Sequence, residues 1–545
     1  MSPKWLREPN GQSHHEPIFN TSNPSTVRYC DFRRRALTPP ARLAERGGWV
    51  NLAPPPALAS LFSFLLLTGC MVGPNYKRPN VNTPAVFRGP GSAQQASFAD
   101  LPWWEVFKDE TLKELIKSSL ANNHDLAAAV ARVEQARQMA AEARSQYFPA
   151  IDYASIISYG HNQFTASPSS NLPGAQGFFL GIVRASWEAD LWGRIRRTNE
   201  AARAELLATE EARRGVMLTL ASDVSQAYFE LLGLRLELEI ANETAQSFAA
   251  TFKLFTVRQQ EGIGNALQTS RAAADLTAAA ASVPELERRI ALKENQISVL
   301  MGKNPGAIET KVKLLEETLP PEVPGGLPSA LLERRPDVMS AAQHVRSANA
   351  QIGVAKSAYF PTIGLTTFFG KLSTPLADLA SSNTNAWSLG ANAAGPIFQG
   401  GALRARNREA VAVWEQARAE YLQTALSAFR DVSDALISRE RYDAIREEQL
   451  RTVQSSQEAL RLARMRYLDG LSSYFEVLEA QQQLYPARLA LAQTEIARRL
   501  VVVQLYKALG GGWNLTDAQW IEANRLPVMQ SQPPTKPLNQ TVPAH

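Results

Sequence analysis

Tyr147-Phe148-Pro149 returns as Tyr359-Phe360-Pro361, and Asp223-Val224-Ser225 followed by Ala227 returns as Asp431-Val432-Ser433 followed by Ala435. Gly262 returns as Gly470, and Gly302 as Gly510. The Tyr-Phe-Pro pair is offset by 212 residues and the other three by 208. The chain therefore holds two copies of a unit roughly two hundred residues long, differing by four residues somewhere between Pro149 and Asp223. Two copies are too few for a solenoid, which needs about three stacked repeats. A duplication is the better reading, and whatever one copy builds the other builds again.

Working outward from Pro149, the period changes. Leu112, Leu115, Ile116 and Leu120 share one helical face, Asn122-Asn123 breaks it, and a second, Ala-rich helix runs from about Asp125 to Tyr147. Proline excludes the helical conformation for Phe148 and withholds an amide, so the chain turns there. Beyond it Ile151, Tyr153, Ser155, Ile157 and Tyr159 alternate with Asp152, Ala154, Ile156 and Ser158, which predicts a strand over about 150–160. A second strand is expected over about 179–188, after the loop chemistry of Ser167 to Gly174. The second copy repeats this hairpin at about 362–370 and 386–394, around a polar loop near Ser381-Ser382-Asn383. Strands of roughly 9 to 11 residues have the length of tilted transmembrane strands.

The longest elements follow. Leu403 to Asp469 contains neither Gly nor Pro, and only Gly215 and Gly233 interrupt Arg194 to Glu261. Each reads as a helix of about 100 Å at 1.5 Å per residue. Each ends in a tip turn, at Gly262-Ile263-Gly264-Asn265 or Gly470-Leu471-Ser472-Ser473, from which a shorter helix returns. The helical hairpins are thus 194–302 and 403–509, with local kinks expected at Pro284 and Pro486. The expected organisation is a leader over 1–69, a tether over 70–100, one repeat over 101–304, a linker over 305–328, a second repeat over 329–512 and a tail over 513–545 that is at least partly disordered.

Four amphipathic strands cannot close a membrane barrel, because the smallest need eight and lipid tolerates no open edge. The chain must pool its strands with copies of itself. Two protomers would supply eight strands and three would supply twelve, and strand counting alone does not choose.

Composition narrows the function. Of 57 Lys/Arg and 52 Asp/Glu residues, eight and four fall in residues 1–69, so the remainder is close to neutral at 49 against 48. Nucleic-acid binding loses its electrostatic support. The six histidines, His14, His15, His124, His161, His344 and His545, form no ligand pair at metal spacing in the mature region, and no phosphate-binding loop, dinucleotide fingerprint or nucleophile elbow occurs. No enzyme and no cofactor is expected, apart from a covalent lipid. Its site is Cys70: the apolar run Ala57–Leu67 has signal-peptide length, too short to span as a helix, and it closes in Leu67-Thr68-Gly69-Cys70, which resembles a bacterial lipobox. Cleavage there would leave Cys70 first and, with Cys30 removed, the only cysteine. Arg42 and Arg46 suit a signal's basic segment, so the translation start is expected downstream of Met1.

Several spaced motifs then carry a family resemblance. Leu101-Pro102-Trp103-Trp104, Phe107, Asp109, Leu112 and Asn122-Asn123-His124-Asp125-Leu126 resemble the entry sequence of outer-membrane channel lipoproteins of tripartite (RND-type) efflux systems, the TolC-like outer-membrane factors of the NodT/OprM type. So do Trp187 to Arg194, where a strand becomes a long helix, and Leu331 to Val338, opening the second copy. The resemblance covers about residues 70 to 515. It implies a mostly α, TolC-like duplicated fold: a homotrimer with a twelve-stranded barrel in the outer membrane, a periplasmic tube of twelve helices and a mixed equatorial belt. It also implies a periplasmic adaptor and an inner-membrane RND-type pump as partners. Met71 in place of an aspartate implies outer-membrane sorting of the lipoprotein. The function implied is a gated exit duct for drugs or other toxic small molecules. A duct for type I protein secretion is the alternative within this architecture, and a periplasmic coiled-coil adaptor or structural protein the alternative outside it.

Glu476 and Glu479 follow the second tip turn and share a helix face. On spacing alone they read as solvated acids near a helix N-terminus. The resemblance makes them gate residues, since the family carries acids at matching positions where the tube closes. Three copies would crowd six carboxylates around an axis, favouring cations. Their first-copy equivalents are Gln268 and Arg271, and Arg271 is expected to pair with an acid of the second copy in the closed state. Ser472 and Gln482 stand where relatives place gate arginines. Trp103 and Trp104, far from any strand, suit burial in the belt, whereas Trp187 and Trp192 suit burial or interfacial anchoring equally.

Overall fold

The computed structural model describes residues 71–88, 109–160, 176–316, 319, 328–381 and 384–511. All lie in the second of the chain's two units, Ser63–His545. The leader, Cys70, Trp103 and Trp104, the 167–174 loop, the tether from 89 to 100, linker residues 317, 318 and 320–327, and the tail lie outside the described residues.

Two side-chain caps start the first repeat. Asp109 accepts from the Thr111 amide at 2.7 Å ahead of α1 (Glu110–Asn122), and Asn123 accepts from Leu126 N at 3.0 Å ahead of α2 (His124–Ser145). These oxygens satisfy amides that a helix start leaves open. The chain then turns at Pro149 into β1 (Ala150–Gly160) and β2 (Gln176–Ala189). Next come α3 (Arg194–Gln260) and the return helix α4 (Ala266–Leu300), which continues through Pro284. The second repeat has α5 (Pro328–Arg334), α6 (Pro336–Ser357), β3 (Thr362–Ser373), β4 (Asn385–Ala394), α7 (Ala402–Leu468) and α8 (Tyr474–Ala508), the last continuous through Pro486.

The long helices have 67 residues each and the return helices 35, and all four of their boundaries recur at an offset of 208. Helices α2 and α6, 22 residues each, recur at 212. The missing residues therefore fall in the strand region, where loop 161–175 is replaced by the shorter 374–384 while the link 190–193 is replaced by the longer 395–401. Strand β2 begins three residues before the expected 179, and β3 continues three beyond 370. Period-two reading is weak there because apolar side chains occur on both faces: Leu180 and Ile182 oppose Phe179 and Val183.

All pairings are antiparallel in the order β1-β2-β3-β4, so the last strand of the first copy pairs with the first strand of the second. The helices share a core in which Leu112, Ile116, Val224, Tyr228, Ile297, Val338, Tyr421, Val432 and Leu505 are fully or almost fully buried. The recurring Val224 and Val432 both belong to it, which accounts for one of the motifs that revealed the duplication. Buried alanines 129, 136, 140 and 143 of α2 lie along its packing with α3, where small side chains permit close approach. A second cluster, with Phe248, Phe255, Tyr474 and Val477, packs near the tips.

Candidate functional site

Three regions of the fold carry functional geometry: the sheet, the junction where strand becomes helix, and the helical tips. Because directly opposed residues of a sheet share a face, the register sorts its side chains. One face carries Ile151, Tyr153, Ile157, Val183, Trp187, Leu365, Phe369, Trp387 and Leu389. These are exposed, Tyr153 at 84% and Leu389 at 77%, so the face is both apolar and uncovered. The other face carries Asp152, Arg184, Ser186, Glu188, Thr366, Ser388 and Asn392 towards the helical end, with Arg184 and Asp152 3.7 Å apart. An exposed apolar face opposite one that is mostly polar towards the helical end is the pattern of a barrel wall.

At the junction the chain leaves β2 through Gly193, whose φ of 80° suits a residue without Cβ, and enters α3. Gly193 has no side chain to cap the helix. Asp190 does so instead, accepting from Ile195 N at 3.1 Å and Arg196 N at 2.9 Å. Trp187 remains on the outer face and donates its indole N–H to Tyr147 O at 3.0 Å. Trp192 stacks on Phe360 and donates to Pro361 O at 2.7 Å, so it packs between the copies. The residues after Cys70 are pinned at the same place. Val72 N donates to Trp192 O at 3.0 Å, and Arg197, 1% exposed, donates to Val72 O, Gly73 O and Asn75 Oδ1.

At the tips, Gly262 and Gly470 adopt φ of 76° and 72°, closing the same left-handed turn twice, while Gly264 abuts the α3 backbone around Gln259. Beyond the second turn, the hydroxyl of Tyr474 is hydrogen-bonded to Thr251 Oγ1 at 2.8 Å, and its ring meets Phe255 and Tyr467 edge-on. Gln481 Nε2 donates to Ser247 Oγ at 3.0 Å, and Gln482 Nε2 to Asp275 Oδ1 at 3.0 Å. Arg258 of α3 donates to the Tyr467 hydroxyl. Helix α8 of the second copy is thus bonded along its first turns to both helices of the first. Gln482, without an arginine's charge, still makes a link between hairpins.

The expected Arg271 pair does not form within this protomer. Glu476 instead faces Arg466 at 3.5 Å, because the short tip turn brings the last turn of α7 against the first turn of α8. Among the described residues, Arg271 and Glu479 have no ion-pair partner, and the Gln268 amide caps onto Asn265. Sequence reading missed Arg466, although a base ten residues before Glu476 across a predicted turn is a usable signal. It also missed Arg197, whose partners Val72, Gly73 and Asn75 lie more than a hundred residues away in sequence.

The profile of the outer membrane efflux protein family matches residues 115–303 and 327–511, one stretch for each repeat. The chain belongs to that family. The probable efflux pump outer membrane protein TtgC of Pseudomonas putida KT2440 is 31% identical over 458 residues, 82% of this chain and 94% of that protein. The probable outer membrane lipoprotein SilC of Salmonella typhimurium is 31% identical over 460 residues, 84% of this chain and 98% of that protein. The solved outer-membrane channel OprN matches with a TM-score of 0.76 at 29% identity, over 82% of this chain and all of that one. This outer membrane efflux protein is accordingly a TolC-like channel of the outer membrane, the exit component of a tripartite efflux pump and not an enzyme. The long helices form its periplasmic extension.

Proposed function

We propose that three copies of the chain pool their sheets into one twelve-stranded barrel, anchored by lipid on Cys70 and gated at the helical tips until a periplasmic adaptor docks. The observation that carries this reading is the sheet: one face is apolar and exposed, and among the described residues β1 and β4 stand at its two edges without a further strand. Free edge amides are intolerable in lipid, and four strands are half the smallest barrel. Three copies also pool α3, α4, α7 and α8 into a tube of twelve helices. An inner-membrane RND-type pump drives transport and chooses the cargo. Heat-resistant trimers in outer-membrane fractions are the expected readout, and monomers confined to soluble fractions would reject the assembly.

Lipidation at Cys70 is supported by Leu67-Thr68-Gly69-Cys70 and by the pinning of Val72 beside Trp192, next to the base of the sheet. Cys70→Ser should abolish incorporation of labelled palmitate, and label retained by the variant would exclude this site. At the tips, Glu476 and Glu479 of three copies form an acidic constriction, with Gln268 and Arg271 on the adjoining hairpin. Arg271, without an ion-pair partner among the described residues of its own protomer, completes the lock against an acid of a neighbouring one. Replacing both glutamates with alanine should raise single-channel conductance in planar bilayers; an unchanged closed-state conductance removes them from the gate.

A further inference from the structure

Within one protomer the two copies meet through a filled socket. The last paired residues of β2 and β3 are Ala189 and Ile363, and three residues beyond each of them Trp192 meets Phe360. There the rings stack with centroids 4.6 Å apart, and the indole bonds to Pro361 O. Plug and socket each have a duplicate. The first-copy corner Tyr147-Phe148-Pro149 has the same backbone bonding as Tyr359-Phe360-Pro361: Phe148 N donates to Ser145 O and Phe360 N to Ser357 O, both at 3.0 Å. Yet Phe148 is 63% exposed against 37% for Phe360. The duplicate plug is Ile397-Phe398, an apolar-aromatic pair like Leu191-Trp192. Both lie between a strand end and a left-handed glycine that opens a long helix, Gly193 or Gly401. Ile397 is 104% exposed and Phe398 87%.

We infer that Ile397-Phe398 of one protomer docks on the Tyr147-Phe148-Pro149 corner of the next copy of the chain, sealing the strand–helix junction between protomers. The inference rests on the pooled barrel proposed above. An empty socket beside edge strand β1 and an unused plug beside edge strand β4 form a head-to-tail pair of complementary patches. Such an interface closes a ring when the rotation between copies allows it. The filled copy supplies the geometry: the second strand of one repeat leads to its plug, and the first strand of the following repeat begins at its socket. A duplicated chain repeats this step once inside the protomer and once between protomers. Two exposed apolar side chains in sequence also have a reason to be buried that a solvated link would not give them.

The test places Phe398→Cys and Phe148→Cys together in the full-length chain and treats outer membranes with a short bifunctional thiol reagent. Covalent dimers and trimers are expected on denaturing gels from the double variant and from neither single variant. A ladder extending beyond trimer would support the plug while rejecting the three-fold barrel. Heat-resistant trimers with no ladder would overturn the plug and leave the barrel standing. A second measurement guards against misfolding of the cysteine pair: Phe398→Ala should lower the temperature at which trimers dissociate, and Phe398→Trp should preserve it. An unchanged temperature for Phe398→Ala overturns the inference. So does quenching by brominated lipid of a fluorophore on Phe398→Cys, which would place this side chain in the membrane boundary.

Discussion

Arg197 in the first turn of α3 donates to Asn75 Oδ1 at 2.8 Å, joining the start of one of the two longest helices to the segment that follows the lipid site. Its guanidinium also pairs with Glu200 at 2.7 Å, so nearly all of its donors are used within a buried space. Arg197→Ala would strand three oxygen acceptors and weaken Glu200, which among the described residues keeps only Arg346 at 3.9 Å. Glu200 is 23% exposed, so the loss falls mainly on the stranded acceptors and costs about 1–3 kcal/mol. The expected outcome is early release of residues 71–88, seen as proteolytic trimming of the amino-terminal segment before any loss of helicity.

The same clamp depends on two glycines in contact. A Cβ on Gly353 would lie 2.7 Å from Arg197 Cγ, and one on Gly73 would lie 2.5 Å from Gly353 Cα. Gly353→Ala should displace Arg197 and cost about 1–3 kcal/mol by overpacking. Gly73→Ala should cost more, because φ at that position is 102° and an L side chain adds backbone strain. Thermal unfolding of the two variants gives the order, and equal midpoints would contradict it.

His344 and Glu205 predict a pH optimum. Their side chains lie 3.2 Å apart, joining α6 to α3, with Glu420 adding a weaker attraction from α7. The hydrogen bond with Glu205 raises His344 above its ordinary 6.5, and the hydrogen bond with His344 lowers Glu205 below its ordinary 4.5. The histidine's contribution is full below 6.5 and lost as pH rises through its raised value. The glutamate's is full above 4.5 and lost as pH falls through its lowered value. The pair therefore stabilises most between pH 4.5 and 6.5. Melting temperature against pH should flatten across this window in His344→Gln, and a profile parallel to the parent's would remove the pair as its cause.

Glu495 of α8 is 4% exposed and 2.9 Å from Arg499, which is 3% exposed. Burial pushes its carboxyl up, but hydrogen bonds from Arg446 and Arg499 outweigh this and hold it below the ordinary 4.5. Its contribution is present above that value and is lost as pH falls. Glu495→Ala leaves Arg499 buried without its carboxylate and should destabilise by about 3–5 kcal/mol. Glu495→Gln should lose less at neutral pH and show a weaker acid sensitivity, measured by denaturant unfolding at two pH values.

The architecture was readable from Pro149 outward because helix and strand periods are local. An uninterrupted run such as Leu403 to Asp469 can be little else than a helix, and a tip glycine recurring at one offset marks equal hairpins. Ion pairs were less accessible. Arg335 bonds its neighbour Asp337, a contact that local spacing allows, yet it also reaches Asp431 at 2.8 Å, ninety-six residues on. For Arg271 the duplication pointed to an acid of the second copy, while the folded protomer gives Glu476 to Arg466. Coulomb attraction rewards whichever base the turn places nearest, and turn geometry is a matter of angstroms, not of sequence offset.

By itself the sequence determined the duplication, the order and length of the elements, and the need for partner copies, since amphipathic strands too few to close a barrel are a count. The tertiary structure decided which residues meet. It placed Trp192 in the socket of the following repeat, left the equivalent corner at Phe148 open, and brought the tether under Arg197. Those outcomes depend on how elements distant in sequence pack side by side, and side-chain contact across such distances has no periodic trace in the chain.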